Sequence, residues 1–244
     1  MIHTIDLAHH RMVAMSRTTL AALRSILFRD AGPAAAGALQ EAGYAGGEAV
    51  YQSFREWLRL QGKAAPEELE VGEFQRKAST YFREAGWGSI TVGSMGEALA
   101  TVDSSDWGES DPDSKLDAPG CHITTGLFAD FFGRLSEVPL AVLEVECRSA
   151  GASRCRFLLG NADVMRFVYE EMEKGRSYTD AVAAVAAATP PHWRGLTAPR
   201  SAHIYGESIN TSFIPQGDAR TRRSHRHPEL QSGRVLHPAR AAAR

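Results

Sequence analysis

All three cysteines of this 244-residue chain lie within one 35-residue window, at Cys121, Cys147 and Cys155. Cys121 precedes an apolar stretch with helical spacing, whereas Cys147 and Cys155 flank a glycine-containing turn between two predicted strands, and Glu144 and Glu146 lie just before Cys147. Three thiolates and one carboxylate complete a tetrahedral Zn²⁺ site and leave no position open for water, which is typical of a structural site. Three inert core thiols are the competing interpretation, because cysteine is among the most buried residue types.

The residues before this window have the pattern of three helices. Apolar residues recur at helical spacing from Leu20 to Phe28, and Pro33 ends or resets that helix. A second helix is predicted from residue 34 to Leu58, with three interior glycines that admit another backbone or a ligand, or else kink the helix: Gly43, Gly46 and Gly47. A third helix is predicted to begin near Pro66 and to bury one apolar face, formed by Val71, Phe74, Ala78, Tyr81 and Phe82.

The second half of the chain alternates between short strands and helices. Strands are predicted around 90–92, 99–102, 138–145 and 154–159, with a polar, acidic surface loop at 103–119. Helices are predicted on the apolar face Leu127–Leu135, after the cap residue Asn161, and from Ser177 to Pro190. Helices packed on a small, mainly antiparallel sheet describe an α+β, sandwich-like domain over residues 1–189.

Charge divides the chain into two parts. Residues 190–244 contain nine arginines and three acids, a formal charge of +6, which leaves −8 for residues 1–189 because the whole chain carries −2. An acidic domain is a poor match for nucleic acid, so no direct nucleic acid binding is expected. The Arg-, His- and Pro-rich tail has little hydrophobic periodicity, which favours disorder over a nucleic-acid-binding arm.

Other sequence features favour a binding protein over an enzyme. The chain has no stretch of 18 apolar residues, and its first residues lack a secretory signal pattern, so we expect a cytoplasmic protein with no membrane span. It contains neither a G-x-x-x-x-G-K-[ST] phosphate loop nor a G-x-G-x-x-G motif after a predicted strand. These absences give no support to ATPase or nicotinamide chemistry.

The segments around the cysteines resemble a known family. Cys121–Leu127 (CHITTGL), Glu144–Cys147 (EVEC), and Gly151 with Cys155–Phe157 (CRF) are similar to the 4-vinyl-reductase-type (4VR) small-molecule-binding domain. That domain occurs in the sensor modules of phenol- and xylene-responsive transcription activators and in a protein linked to bacteriochlorophyll synthesis. The opening helices, Leu20 to Val50, are also similar, and the resemblance extends over residues 15–175.

The resemblance implies a specific ligand set for zinc. In the aromatic sensors a Cys is followed by a Glu 23 residues later, a Cys three further on and a Cys eight after that; Cys121, Glu144, Cys147 and Cys155 keep this register. Carried over residue by residue, these four are the ligands of a structural Zn²⁺, and Glu146 is the second choice of carboxylate. The resemblance also implies the ligand-binding-domain fold of the NO-signalling and Golgi-transport type, a homodimer, and a pocket between helices and sheet.

The predicted pocket is aromatic. Its best candidates are Tyr44, Trp57, Trp87 and Phe128, and further rings that could line it are Phe54, Phe74, Tyr81 and Phe131. Ordinary core packing is the alternative for each of them. Tyr44 and Trp87 are favoured because each borders glycines that could admit a small hydrophobic or aromatic ligand.

Three functions are consistent with these residues. The first is a stand-alone sensor that binds a small molecule and signals to a partner protein. The alternative is an auxiliary tetrapyrrole-binding carrier or 4-vinyl-reductase-related protein of bacteriochlorophyll biosynthesis, in which His122 would ligate the tetrapyrrole metal or be merely structural. A redox switch that releases zinc on thiol oxidation is chemically allowed but slow for a buried, fully ligated ion.

Overall fold

The computed structural model describes residues 12–95 and 99–188; the predicted tail at 190–244 and the predicted helix end at Pro190 lie outside them. Within the described residues the chain forms six helices and four strands, which are α1 (Arg17–Ala31), α2 (Ala34–Leu60), α3 (Val71–Glu84), β1 (Thr91–Met95), β2 (Leu99–Ser104), α4 (His122–Ser136), β3 (Ala141–Glu146), β4 (Cys155–Gly160), α5 (Ala162–Glu173) and α6 (Tyr178–Ala188). The predicted α+β class is confirmed.

The four strands form one antiparallel sheet in the order β1-β2-β4-β3. β3 and β4 make the predicted hairpin, and β2 pairs with the other side of β4. Side chains alternate along β4, so Phe157 and Leu159 join the core formed with α2, α3 and α4, whereas Leu158 joins the core formed with α5 and α6. The sheet therefore lies between two helical layers.

A network of aromatic rings fills the larger core. Phe128 lies at its centre, with ring centroids 5.1 Å from Trp107, 5.2 Å from Phe157 and 5.8 Å from Phe82. Most of these pairs are tilted or edge-to-face, the arrangement that the ring quadrupoles favour. Helices α2, α3 and α4 and the sheet are thus packed on one shared set of rings.

Glycines let α2 and α4 pack with their backbones in close approach. A Cβ on Gly126 of α4 would lie 1.9 Å from the Gln40 carbonyl oxygen, and a Cβ on Gly43 of α2 would lie 2.0 Å from the Ile123 carbonyl oxygen. One turn along α2, a Cβ on Gly47 would lie 2.5 Å from the Asp130 Cβ. The glycines predicted to admit another backbone do so, and α2 continues through them as one 27-residue helix.

The third helix begins later than predicted. Pro66 starts a short 3₁₀ turn that ends at Glu68, and α3 begins only at Val71, because Leu69 and Glu70 adopt extended backbone conformations. Val71 was predicted to be buried, but it occupies the first turn of α3 and is 72% exposed. The other four residues of the predicted apolar face are buried.

The segment 103–119 is not the simple surface loop that its polarity predicts. β2 extends to Ser104, and Trp107, Glu109 and Ser110 are buried against the start of α4. The predicted strand 138–145 also begins later, at Ala141, because Glu137 takes a left-handed conformation that ends α4. Val138 follows that turn and is 45% exposed.

The predicted caps of the last two helices are present. Asn161 caps α5 by accepting a hydrogen bond from the Asp163 amide at 2.8 Å, and the Ser177 hydroxyl accepts one from the Asp180 amide at 3.1 Å. Among the residues that the structure describes, no helix is both long and apolar enough to cross a bilayer.

Gly126→Ala should destabilise the domain by about 2 kcal/mol or more, because its methyl group would collide with backbone that cannot rotate away. The matched control is Gly46→Ala in α2, where an added Cβ meets nothing within 4 Å. That substitution should stabilise the helix by about 1 kcal/mol through its higher helix propensity. Urea unfolding of both variants measures the difference, and equal stabilities would contradict the close helix approach.

Candidate metal centre

The four predicted ligands converge at the start of α4 and the end of the β3–β4 hairpin. Cys121 is the N-cap residue of α4, Glu144 lies in β3, Cys147 directly follows β3 and Cys155 begins β4. One ligand atom from each lies within 4.8 Å of the others, and all four residues are buried. The Cys121 Sγ lies 3.9 Å from the Sγ atoms of Cys147 and Cys155, close to the roughly 3.8 Å that separates two thiolates on a tetrahedral Zn²⁺.

A β-bulge determines which of the two glutamates joins the cysteines. Glu144 pairs with Phe157 and Glu146 with Arg156, so one extra residue lies between them in β3 and the alternation of faces shifts. Glu144 consequently faces the cysteines. Glu146 faces the opposite side of the sheet, where its carboxylate accepts hydrogen bonds from Arg154 at 2.9 Å and from Tyr178.

The Glu144 carboxylate has one oxygen satisfied and one free. Its Oε2 accepts a hydrogen bond from the Cys121 amide at 2.8 Å. Its Oε1 is buried and has no hydrogen-bond partner among the described residues. A buried oxygen without a partner is costly, and one beside three thiols is placed as a metal ligand would be. The donor set of three sulfurs and one oxygen fits Zn²⁺.

Electrostatics in the cluster favour a bound cation. Burial raises the pKa of the Glu144 carboxyl well above its usual value, and the neighbouring Cys147 raises it further. Hydrogen bonds with Cys147 and Cys155, together with burial, raise the pKa of the Cys121 thiol. The pKa of Cys147 is instead lowered, because Cys121 and Cys155 donate hydrogen bonds to it. One negative charge is therefore favoured in this interior, and ionisation of all four ligands requires a compensating cation.

The turn between the strands holds Cys147 relative to Cys155. The Cys147 carbonyl accepts hydrogen bonds from the amides of Ala150 at 3.0 Å and Ala152 at 3.1 Å. Gly151 closes this turn with φ 88°, a left-handed conformation that glycine adopts without strain. Backbone amides also reach the thiols, since Gly120 hydrogen-bonds Cys147 and Arg148 hydrogen-bonds Cys155.

A carboxylate that the sequence analysis placed in a surface loop caps α4. Glu109 is 5% exposed; its Oε1 accepts from the Ile123 amide at 2.9 Å, and its Oε2 accepts from the Thr124 amide at 2.7 Å. An N-cap side chain usually satisfies such amides, but the Cys121 side chain makes no capping bond. Glu109 thus provides the cap and leaves the Cys121 sulfur with the cluster. It lies 12 residues upstream of Cys121, where no capping pattern in the sequence indicates it.

The predicted pocket residues occupy different environments. Phe128 is fully buried, and Trp57 is buried with its indole Nε1 donating to Glu84 at 3.1 Å. Trp87 is half-buried and stacks on Trp107 at 5.5 Å, and Trp107 in turn contacts Phe128. Tyr44 is 40% exposed on α2. The structure links Trp87 and Phe128 through Trp107, a residue that sequence analysis had placed in the loop, and the pocket role of all four stays a prediction.

His122 lies beside the cluster and packs against α1. Its ring centroid is 5.4 Å from that of Phe28. Burial, with a contribution from the positive charge of Arg24, lowers the pKa of His122 to about 4, so the imidazole is neutral at physiological pH. Its predicted role as a tetrapyrrole ligand stays a prediction.

Residues 114–161, which include all four clustered side chains, match the family model of the 4-vinyl-reductase-type (4VR) domain. The chain carries a 4VR domain. The resemblance of the cysteine window to this family is thereby confirmed. No curated protein sequence matches the chain.

Solved structures similar to this chain include two proteins at 17% sequence identity. One is the phenol-responsive sensory domain of the transcription activator PoxR with phenol, which has a TM-score of 0.48 and covers 73% of this chain and 84% of its own. Another is a vinyl-4-reductase family protein from Methanocaldococcus jannaschii, which has a TM-score of 0.31 and covers 41% of this chain and 71% of its own.

The cap carboxylate should make stability depend on pH. Burial raises the pKa of Glu109 to about 7 from an unperturbed 4.5, against the opposing effect of its hydrogen bonds with α4. Between these values the folded protein binds more protons than the unfolded chain, so this group's contribution to stability falls as pH rises, by at most about 1.4 kcal/mol per pH unit.

Glu109→Gln should remove this dependence, because an amide does not titrate. The unfolding free energies of wild type and variant, measured in urea at several pH values across that window, give the difference, in which contributions from the metal ligands cancel. A difference that does not change with pH would contradict a raised pKa at Glu109.

Proposed function

We propose that this chain is a zinc-containing sensor that binds a small hydrophobic or aromatic molecule and transmits its ligand state to a partner protein. The match to the 4VR family supports small-molecule binding, because the family that the chain resembles includes the sensor modules of aromatic-responsive activators. The observation that carries the metal assignment is the buried, unpartnered Oε1 of Glu144 beside three thiols.

Zinc would be held by the sulfurs of Cys121, Cys147 and Cys155 and by the Glu144 Oε1. Four protein ligands leave no position for water, so the ion would be structural and would join the start of α4 to the β3–β4 hairpin. The chain's own contribution is to orient the carboxylate, since the Cys121 amide holds Oε2 and thereby directs Oε1 to the thiols.

The ligand would bind in the aromatic core between the helices and the sheet. Trp87 is half-buried between Gly86 and Gly88, and its ring stacks on the fully buried Trp107. This arrangement supports Trp87 at the entrance and Phe128 in the interior wall. Rings with few polar neighbours suit a flat, apolar molecule.

We also propose that the protein is a homodimer. Helix α1 exposes the apolar side chains of Leu23 and Ile26, which are 39% and 46% exposed, and apolar side chains left on one helix face support association.

Native mass spectrometry of the purified chain, with metal analysis on the same sample, tests these proposals together. One zinc per chain and an added small-molecule mass are expected, in a dimer. An added mass of tetrapyrrole size would favour the carrier alternative over the sensor. A freshly reduced chain without zinc would contradict the metal centre.

Substitution of the two glutamates separates the metal centre from general stability. Glu144→Gln should reduce the zinc content strongly, because an uncharged amide is a poor replacement for the carboxylate ligand. Glu146→Gln is the matched control, since it removes the same charge two residues away on the opposite face of the sheet, and it should retain one zinc per chain.

Cys155→Ser should also lose zinc and loosen the β3–β4 hairpin. The melting temperature should fall by roughly 5 °C or more, since each kcal/mol lost moves it by about 2–4 °C in a chain of this size. Full zinc occupancy and an unchanged melting temperature in this variant would refute Cys155 as a ligand.

A further inference from the structure

Helix α1 buries one side chain, and that side chain is charged. Arg24 is 5% exposed, although most of α1 faces solvent. Arginine is seldom this buried without a carboxylate partner. Among the described residues Arg24 forms no ion pair; its Nη1 donates to the Gly120 carbonyl at 3.4 Å and its Nη2 to the Ser114 hydroxyl at 3.3 Å.

The Gly120 carbonyl belongs to the peptide group that orients Glu144. The oxygen of the Gly120–Cys121 peptide accepts from Arg24, and the N–H of the same peptide donates to the Glu144 Oε2 at 2.8 Å. A cation at one end of a peptide and an anion at the other polarise it in the same direction, so both hydrogen bonds are strengthened. Arg24 and Glu144 are therefore coupled through one peptide unit.

Glycine at position 120 makes this approach possible. A Cβ there would lie 2.5 Å from the Leu116 Cδ1 and 3.3 Å from the Arg24 Nη1. A larger residue would displace the guanidinium from the carbonyl that it contacts. The same Gly120 also donates its own amide to the Cys147 thiol.

The charge of a loaded metal centre gives the arginine a role. A divalent ion with three thiolates and one carboxylate has a net charge of −2, and it would lie in an interior where uncompensated charge is costly. The nearby Arg154 and Arg156 lie on the opposite face of the hairpin and are paired with Asp103 and Glu146. Arg24 carries a positive charge on the cluster's own side that no carboxylate ion pair neutralises within the described part of the chain.

We propose that Arg24 is a positioning residue of the metal centre, which compensates part of its negative charge and, through the Gly120–Cys121 peptide, holds Glu144 in its ligating orientation. This inference rests on the metal site proposed above and extends it to a helix outside the segment that matches the 4VR family. Since coupling between binding and docking is reciprocal, metal binding also strengthens the attachment of α1 to the domain.

The test compares Arg24→Met, Arg24→Lys and Arg17→Met in the full-length chain. Arg17 is the matched control, because it lies on the same helix and donates to a backbone carbonyl, that of Asp106 at 3.0 Å, but in an exposed position. Competition with a chromophoric chelator gives the zinc affinity of each protein. Arg24→Met should weaken zinc binding roughly tenfold or more, the range seen when groups that orient metal ligands are removed.

Two further readouts distinguish positioning from general stability. Arg24→Lys retains the charge and should recover most of the affinity, and Arg17→Met should bind zinc as the wild type does. Cobalt substituted for zinc should show an altered thiolate-to-metal absorption spectrum only in Arg24→Met. Amide hydrogen exchange over residues 17–31 should slow on zinc binding in the wild type and not in Arg24→Met.

The outcomes separate this inference from the metal centre itself. A wild-type chain that binds no zinc would overturn the metal centre and the role of Arg24 with it. A wild type that binds zinc, with an Arg24→Met variant of equal affinity and unchanged cobalt spectrum, would overturn the role of Arg24 alone. If Arg24→Met does not fold, Arg24→Gln removes the charge while keeping hydrogen-bond donors, and the same expectations apply to it.

Discussion

The strongest constraint on this domain is the crowding of three thiols and one carboxylate into a dry interior, with their ligand atoms within 4.8 Å of one another. Four such groups cannot ionise together without a cation, and the Glu144 Oε1 has no hydrogen-bond donor among the described residues. The surrounding elements are built around that demand. A bulge rotates Glu144 inwards, a tight turn fixes Cys147 near Cys155, and Glu109 takes over the capping of α4 so that the Cys121 sulfur stays in the cluster.

Helix α4 links this cluster to the aromatic core. Its first residue follows Cys121, and one to two turns later it carries Phe128 and Phe131, the rings on which α2, α3 and the sheet meet. The backbone contact with α2 at Gly126 fixes α4 between these two ends, because there is no side chain there to adjust. A change of position at the start of α4 would therefore be passed to the rings, which are the predicted walls of the pocket.

The sequence predicts the elements well and their three-dimensional combination less well. Hydrophobic periodicity locates the helices and the hairpin, and the capping residues Asn161 and Ser177 indicate where α5 and α6 begin. Alternation alone would place Glu144 and Glu146 on one face and Cys147 on the other; only the bulge separates the glutamates, and the family resemblance, not periodicity, indicated Glu144. Trp107, Glu109 and Arg24 escaped notice because their roles come from contacts 15 to 96 residues away, which no local pattern encodes.

The bulge also explains how one hairpin serves two neighbours. On the helical-core face its strands present Glu144, Cys147 and Cys155 to the start of α4. On the opposite face Arg154 and Arg156 bind Glu146 and Asp103, and Tyr178 of α6 hydrogen-bonds Glu146. These residues are sequence neighbours of the clustered ones, so the strands cannot shift on one face without altering the ion pairs on the other. A metal bound by the cluster would thus stabilise the attachment of α6 as well as that of α4, and the hairpin is the element through which the two helical layers are coupled.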